Sequence, residues 1–344
     1  MWKGGERLKY DVIVIGSATV DVFVKTDAET IDISGFSHGH KVNEHLIAYP
    51  LGSKILIKEL DFKTGGGGTN VVATFAAQGL KTGYIGKIGQ DQHGHAVFDW
   101  LKKNNVTFLG QVGGQTGYSV ILDSQAKDRT ILTFKGANNE LEYEKLNLRG
   151  IESTWLFGCV MLGQSYETLE RLFRYAKNDK MRIAWVLASY IAEKGIDHIK
   201  ESLRKTEVLI LNKEEAEQLV GVGTCLELAE RLSKFGPKLI AVTDGEKGAT
   251  IRASGKWGDE RFCVKPATDL NIIETTGAGD AFAAGFVTGI IQGRPLKEAA
   301  LQGIINSEGV IQSYGAKEHI ADKKEMEELL RAEKENARHK IEDI

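Results

Sequence analysis

A chain of 344 residues with 42% apolar and 26% charged residues is long enough to bury a sizeable core, and its composition excludes a disordered or fibrous protein. A net charge of −3 argues against a general nucleic-acid binder, which carries a basic face, although a balanced total still accommodates a local basic pocket. Three scattered cysteines, Cys159, Cys225 and Cys263, form no CxxC pair and so suggest neither a zinc site nor a disulfide framework, and no run of about 18 apolar residues marks a membrane span. The expected setting is therefore reducing and cytoplasmic, with neither membrane nor nucleic acid as partner.

In chain order, the opening MWKGGERLKYDVIVIG contains one short apolar run, DVIVIG (11–16), which reads as a buried strand and not as a secretion signal. Residues 20–64 hold VDVFVKTD and KILIKELDFKTG without a convincing helix between them. In the second, Glu59 and Asp61 alternate with Leu60 and Phe62, as on a half-exposed strand. TGGGGTN (64–70) leads into a helical pattern, VVATFAAQGL (71–80). TGYIGKI (82–88) reads as strand and HAVFDWLKKNN (95–105) as helix, and TGYSVILDSQAKDRTILTFKG (116–136) reads as a hairpin. Strand-like TWLFGCV, RIAWVL, EVLIL and KLIAVT then alternate with helix-like YETLERLFRYAKN, EEAEQLV and LELAERLSKF. TDGEKGA (243–249) is a polar turn, ETTGAGDAF (274–282) enters the helical run AFAAGFVTGII, and residues 321–344 read as a charged, solvated helix.

Short apolar strands alternating with amphipathic helices predict an α/β fold: a doubly wound, mostly parallel sheet flanked by helices. The β-rich stretches at about 20–64 and 116–136 predict a small β-sheet lid standing off that body. An exposed lid of this kind has edges that favour covering, which points to a homodimer through the lid.

The glycine-rich stretches carry the chemistry. No GxxxxGK[ST] occurs, and the first strand runs into GSATVD and not GxGxxG, so neither a Walker-type site nor a dinucleotide fingerprint is present. At ETTGAGDAF, a helix start offers unpaired N–H groups and a partial positive charge, and side-chain-poor residues admit an anion to them. Gly277, Ala278 and Gly279 then form an anion hole. Asp280 stands where a carboxylate takes a proton from a hydroxyl that attacks phosphorus. The plainer reading is a first-turn acid favoured by the helix dipole, with the glycines there for packing. TGGGGTN accepts a high conformational entropy cost, either for backbone approach to a ligand or as a hinge. Asn212 and Glu215 in LILNKEEAEQL match a capping box.

Taken together and in order, these stretches resemble the ribokinase-like sugar kinase family, also called the PfkB carbohydrate kinase family, over roughly residues 10 to 320. G-S-x-x-x-D at Gly16 to Asp21, GGGGTN, N-x-x-E at Asn212 to Glu215, T-x-G-x-x-G at Thr243 to Gly248, TTGAGDAF and YGA at 314–316 each resemble a family element. The resemblance implies transfer of the γ-phosphoryl group of ATP to a hydroxyl of a small sugar or nucleoside, with Mg²⁺. Position by position it implies Asp280 as base and Gly277, Ala278 and Gly279 as anion hole. It places Asp21, Gly66, Gly67 and Asn70 on the acceptor, and Thr243, Gly245 and Gly248 on the nucleotide. Asn212 and Glu215 act on Mg²⁺ through water, a role compatible with capping.

The pattern departs in three places. Glu274 stands where the family has Asp, in a region that binds a monovalent cation in potassium-activated members, and its extra methylene stops the resemblance short of implying such a cation. FGCVMLG (157–163) lacks the glutamate that ribokinases place there, and ASYIAEKG lacks the usual Asn-Pro type residues. A nucleoside kinase, with CVML facing a base, is the alternative within the same chemistry. A phosphosugar kinase would need a cationic lid group, for which Arg129 and Lys135 are the candidates. A non-catalytic binding protein of the same fold would be expected to lack the base or a hole glycine, and all are present.

Overall fold

The apolar runs assemble into one ten-stranded sheet in a computed structural model that describes residues 8–26, 30–37, 40–123 and 129–344. From one edge the order is Lys340–Asp343, Arg261–Lys265, Ala249–Ala253, Leu239–Thr243, Val208–Asn212, Arg182–Val186, Ile151–Gly158, Leu8–Ile15, Thr82–Ile85 and Thr107–Phe108. The strands from Leu239–Thr243 onward run parallel, and the other three add on antiparallel.

Strand pleating explains why the parallel strands read as unbroken apolar runs. Successive side chains point to opposite faces. Val12 and Val14 enter one core while Ile13 and Ile15 enter the other, and Leu239 and Ala241 separate in the same way from Ile240 and Val242. Helices Gly67–Ala77, Gln92–Lys103, Ala278–Ile291 and Leu296–Ile311 cover the first face. Gln164–Asn178, Ile196–Leu203, Lys213–Val220 and Cys225–Ser233 cover the second. Both faces are buried, as a parallel sheet requires.

The helix Ala278–Ile291, which carries Asp280, lies unusually close to Leu296–Ile311. A Cβ on Gly289 would fall 2.7 Å from the Cα of Ala299, and one on Gly303 would fall 2.9 Å from the carbonyl of Phe282. The apolar residues of Leu296–Ile311 surround the helix and are joined in the core by Gln302 and Asn306. That leaves no clean amphipathic stripe, and periodicity gives this helix no signal.

A second, four-stranded sheet has the order Arg129–Phe134, Gly117–Asp123, Thr19–Lys25, Glu59–Gly65. Val20, Val22 and Ile121 are buried against the body, whereas Leu60, Phe62, Ile131, Leu132 and Phe134 are exposed. The predicted hairpin at 116–136 is present, paired from Tyr118↔Phe134 to Asp123↔Arg129. The side chain of Arg129 lies outside the described part of the structure. Residues 20–64 do not form one piece: Thr30–Ser37 and His40–Ile47 pair with each other as a separate hairpin.

The expected helix over 321–344 needs correction. It spans Lys323–Asn336 and stops at Ala337, which adopts the left-handed conformation with φ 45°. The chain then returns as the edge strand Lys340–Asp343, paired with Arg261–Lys265. Met326 and Leu330 enter the core, and the ring of buried His339 sits between Glu308, 2.9 Å away, and Glu333, 2.8 Å away. Two apolar residues one helical turn apart suffice to dock a helix whose other faces are solvated. Among the described residues, no helix is long and apolar enough to cross a membrane.

Candidate active site

Where the first strand ends, two glycines meet. A Cβ on Gly16 would fall 2.5 Å from the Cα of Gly68, and the Gly68 N–H donates to the Ser17 carbonyl at 3.0 Å. Tyr84 donates its hydroxyl to the Gly16 carbonyl at 2.9 Å. Gly66 has φ 96°, and a Cβ there would come within 2.7 Å of the Ser17 carbonyl. The run of four glycines is thus a close backbone approach that docks Gly67–Ala77 on the strand end. Asn138 holds the next residue from both sides: Ala18 N–H donates to its Oδ1 and its Nδ2 donates to the Ala18 carbonyl, both at 2.8 Å.

That anchoring fixes the start of Thr19–Lys25, which carries Asp21. The carboxylate is buried, accepts from Thr19 Oγ1 at 2.8 Å, and fits only because Gly65 has no side chain, since a Cβ there would fall 1.8 Å from Oδ2. Burial pushes its pKa up. Hydrogen bonds from Thr19 and Ser119 and the charge of Lys317 pull the other way, and the charge of Glu274 adds to the rise.

Asp280 comes to the same place from the other end of the chain. Gly277 caps the helix in the left-handed conformation with φ 82°, and a Cβ there would fall 2.5 Å from the Ala316 carbonyl. Packing therefore explains Gly277. It does not explain Gly279, where an added Cβ would meet nothing within 4 Å. The space above the helix start is open. Asp280, in the first turn, accepts from Asn70 Nδ2 at 2.9 Å, and a Cβ on Gly67 would come 3.5 Å from its Oδ1. Burial raises its pKa to about 6, with the neutral Asn70 amide acting against the rise. Cys159 lies beneath, its thiol directed at the Gly67 carbonyl at 3.6 Å, and burial pushes the thiol pKa well up. Met161 is buried in the far core, with Val160 and Leu162 partly buried against it.

A second group of predicted residues lies along the carboxyl ends of the parallel strands, where open α/β sheets bind ligands. Asn212 and Thr243 are register partners on neighbouring strands. Asn212 Oδ1 accepts from the Glu215 N–H at 2.8 Å and Glu215 Oε2 accepts from the Asn212 N–H at 2.9 Å, a complete capping box. Glu215 is buried, which raises its pKa. Gly245 (φ 51°) and Gly248 (φ 84°) shape the turn after Thr243, and Gly248 lies so near the strand Arg261–Lys265 that a Cβ would fall 1.9 Å from the Val264 carbonyl. The Asp280 helix packs against Arg182–Val186 and Val208–Asn212, so both groups share one edge of the sheet. Glu274 is buried, accepts from Thr276 Oγ1 at 2.6 Å, and its N–H donates to the Ile311 carbonyl at 3.1 Å. Among the described residues, no three His, Cys, Asp or Glu side chains gather to ligate a metal directly.

The residue that motif reading passes over is Lys317, just beyond YGA. Its Nζ donates to Thr69 Oγ1 at 3.0 Å and lies 3.9 Å from the centre of the Trp100 ring. Burial pushes its pKa down to about 7, opposed by the charges of Asp21 and Glu318. The contact of Ala316 with Gly277 brings this lysine to the site, a signal invisible without the fold.

Comparison with known proteins agrees with this fold. The chain is 28% identical over 249 residues to an uncharacterized sugar kinase of Archaeoglobus fulgidus, covering 70% of this chain and 96% of the relative. It is 25% identical over 330 residues to the ribokinase of Bacillus subtilis, covering 93% and 99%. In fold it is similar to the ribokinase of Arabidopsis thaliana, solved with ribose and ATP, with a TM-score of 0.77 at 21% identity over 95% of this chain and 99% of that one. The profile of the pfkB family carbohydrate kinases matches residues 12–323, and the chain belongs to that family.

Proposed function

We propose that this protein transfers the γ-phosphoryl group of ATP to a hydroxyl of a sugar, with Asp280 as the general base. The observation that carries the reading is the setting of Asp280: a carboxylate with a pKa near 6 and a neutral amide partner, in the first turn of a helix whose start Gly279 leaves open. At neutral pH the carboxylate is mostly ionised and takes the proton of the acceptor hydroxyl. The acceptor oxygen bonds to the γ-phosphorus, the bond to the β-phosphate oxygen breaks, and ADP leaves. The N–H groups of Gly277, Ala278 and Gly279 face the charge that builds on the transferring group.

Asp21, Gly66, Gly67 and Asn70 form the acceptor side, and Thr243, Gly245 and Gly248 the nucleotide side. Mg²⁺ supplies charge neutralisation on the phosphates. Asn212 and Glu215 suit an outer role toward it: each uses its side chain in the capping box, and an ion that keeps several waters needs few direct protein ligands. The reading includes no monovalent cation at Glu274, whose carboxylate already accepts from Thr276. The small sheet, drawn from within 20–64 and 116–136, is read as the lid of one kinase domain over 10–320, onto which 321–344 pack as a helix and an edge strand. ATP dependence supports a cytoplasmic setting. The exposed apolar residues of the lid, Leu60, Phe62, Ile131, Leu132 and Phe134, support a homodimer through that surface, which gel filtration tests by giving twice the chain mass.

The test of the activity is ADP release with Mg-ATP and a panel of pentoses, hexoses, sugar acids, sugar phosphates and nucleosides. Acceptor-dependent ADP is expected. A broad panel with none overturns the assignment.

A further inference from the structure

Two ammonium groups close on the acceptor side. Lys317 follows Ala316, whose contact with Gly277 fixes it beside the anion hole. Its Nζ donates to Thr69 Oγ1 at 3.0 Å, and Thr69 donates on to the Gly65 carbonyl at 2.6 Å. Gly65 is the residue whose bare Cα makes room for the Asp21 carboxylate. Lys135 approaches from the lid. It follows the strand Arg129–Phe134, whose neighbour carries Ser119, the register partner of Asp21. The left-handed Gly136 (φ 50°) turns the chain there, and the Lys135 ammonium lies 5.0 Å from the centre of the Tyr190 ring. Tyr190 follows the carboxyl end of Arg182–Val186.

The contrast with a neighbouring lysine is informative. Lys63 already forms ion pairs with Asp61 at 3.4 Å and Glu318 at 3.9 Å. Neither Lys317 nor Lys135 forms an ion pair with a carboxylate among the described residues; their partners are a hydroxyl and aromatic rings. Burial disfavours the charged form of both, and the charge of Asp21 acts on both to restore it. Each ammonium is partly desolvated and has no carboxylate at ion-pair distance among the described residues, Glu318 acting on Lys317 only from beyond it, so an anion carried by the ligand is the partner that would favour the charged form. A neutral sugar or a nucleoside supplies none.

We propose that Lys317 and Lys135 form an anionic subsite beside Asp21, so that the acceptor is a sugar bearing a carboxylate or a phosphate ester. This rests on the kinase reading above. Asp21 orients hydroxyls, the lysines hold the anion, and the free hydroxyl meets Asp280.

The experiment compares kcat/KM for three acceptor arms, neutral sugars with nucleosides, sugar acids and sugar phosphates, in the full-length wild type, Lys317→Met, Lys317→Arg and Lys135→Met. Expected is a preference for one of the two anionic arms, and which arm wins identifies the anion. Lys317→Met should raise KM for that acceptor about 10- to 100-fold, well beyond any change in KM for ATP, and Lys317→Arg should recover part of the loss. ADP release with neutral acceptors alone, or Met variants that lower kcat/KM equally in every arm, overturns the subsite while leaving the kinase intact. If no arm releases ADP although ATP binds, the kinase reading falls and takes the subsite with it.

Discussion

Asp280 and Asp21 are two buried or half-buried carboxylates in one site, and their surroundings differ in kind. Asp21 is held by two hydroxyls and felt by a lysine, which favour its ionised form against burial. Asp280 has a neutral amide for that purpose, and burial lifts its pKa to about 6. Burial raises the pKa of Asp21 as well, but its hydroxyl and lysine neighbours oppose the rise and suit a group that binds. The setting of Asp280 suits a group that gains and loses a proton near neutral pH. Residue type is the same; neighbours divide the work.

The largest expected effect breaks the comparison on the Asp280 side. Asp280→Asn keeps the shape and removes the base, and kcat should fall ~10²–10⁴-fold with ATP affinity retained by calorimetry. A variant with more than a few per cent of wild-type turnover would reassign the base. Asp21→Asn should act on binding instead, raising acceptor KM by about 10- to 100-fold with a smaller fall in kcat. If kcat falls as steeply as for Asp280→Asn, the two carboxylates do not divide their roles this way.

The pH profile sharpens the contrast. Asp280 must be ionised, so kcat/KM should rise through about pH 6. Lys317 must be charged, so with an anionic acceptor it should fall again above about pH 7. The groups acting on Lys317 are Asp21 and Glu318, and the one on Asp280 is Asn70. Lys317→Met should remove the alkaline limb and leave the acid limb in place, and an unchanged alkaline limb would exclude Lys317 as its source.

The smallest effect concerns stability. The pKa of Asp280 rises on folding from an ordinary 3.8 to about 6. The protonated group is therefore favourable to the fold below pH 4, and that advantage is lost as pH rises through 6. Asp280→Asn cannot ionise, so in denaturant melts it should gain stability relative to wild type between pH 4 and pH 7, by on the order of 1–3 kcal/mol after allowance for solvent contact. A constant difference across that range would mean that Asp280 ionises without cost.

Much of the site was legible as short strings. GGGGTN and TTGAGDAF stand out because glycine runs are costly unless backbones approach closely; close approach accounts for Gly66, Gly68 and Gly277, and Gly279 alone among them faces open space. N-x-x-E is legible as a capping box, which the structure shows complete. Lys317 was not legible, because a lysine in a loop is ordinary until Ala316 is seen against Gly277 and Thr69 against the ammonium. Asn138 hides in the same way: its grip on Ala18 spans 120 residues. The edge strand Lys340–Asp343 was read as helix, because highly charged sequence with helix-forming residues carries no sign of the open sheet edge that receives it.

By itself the sequence determined the alternation of strands and helices, hence the parallel sheet, and the two glycine-rich loops. Those features follow from local periodicity and from backbone demands that few residues meet. The tertiary structure alone decided that residues 210 apart, Asn70 and Asp280, share a hydrogen bond, and that the Lys317 ammonium reaches Thr69 from 248 residues away. The reason is physical: a pKa, a hydrogen-bond partner and an open space are properties of what surrounds a group, and the chain sets those surroundings only when it closes.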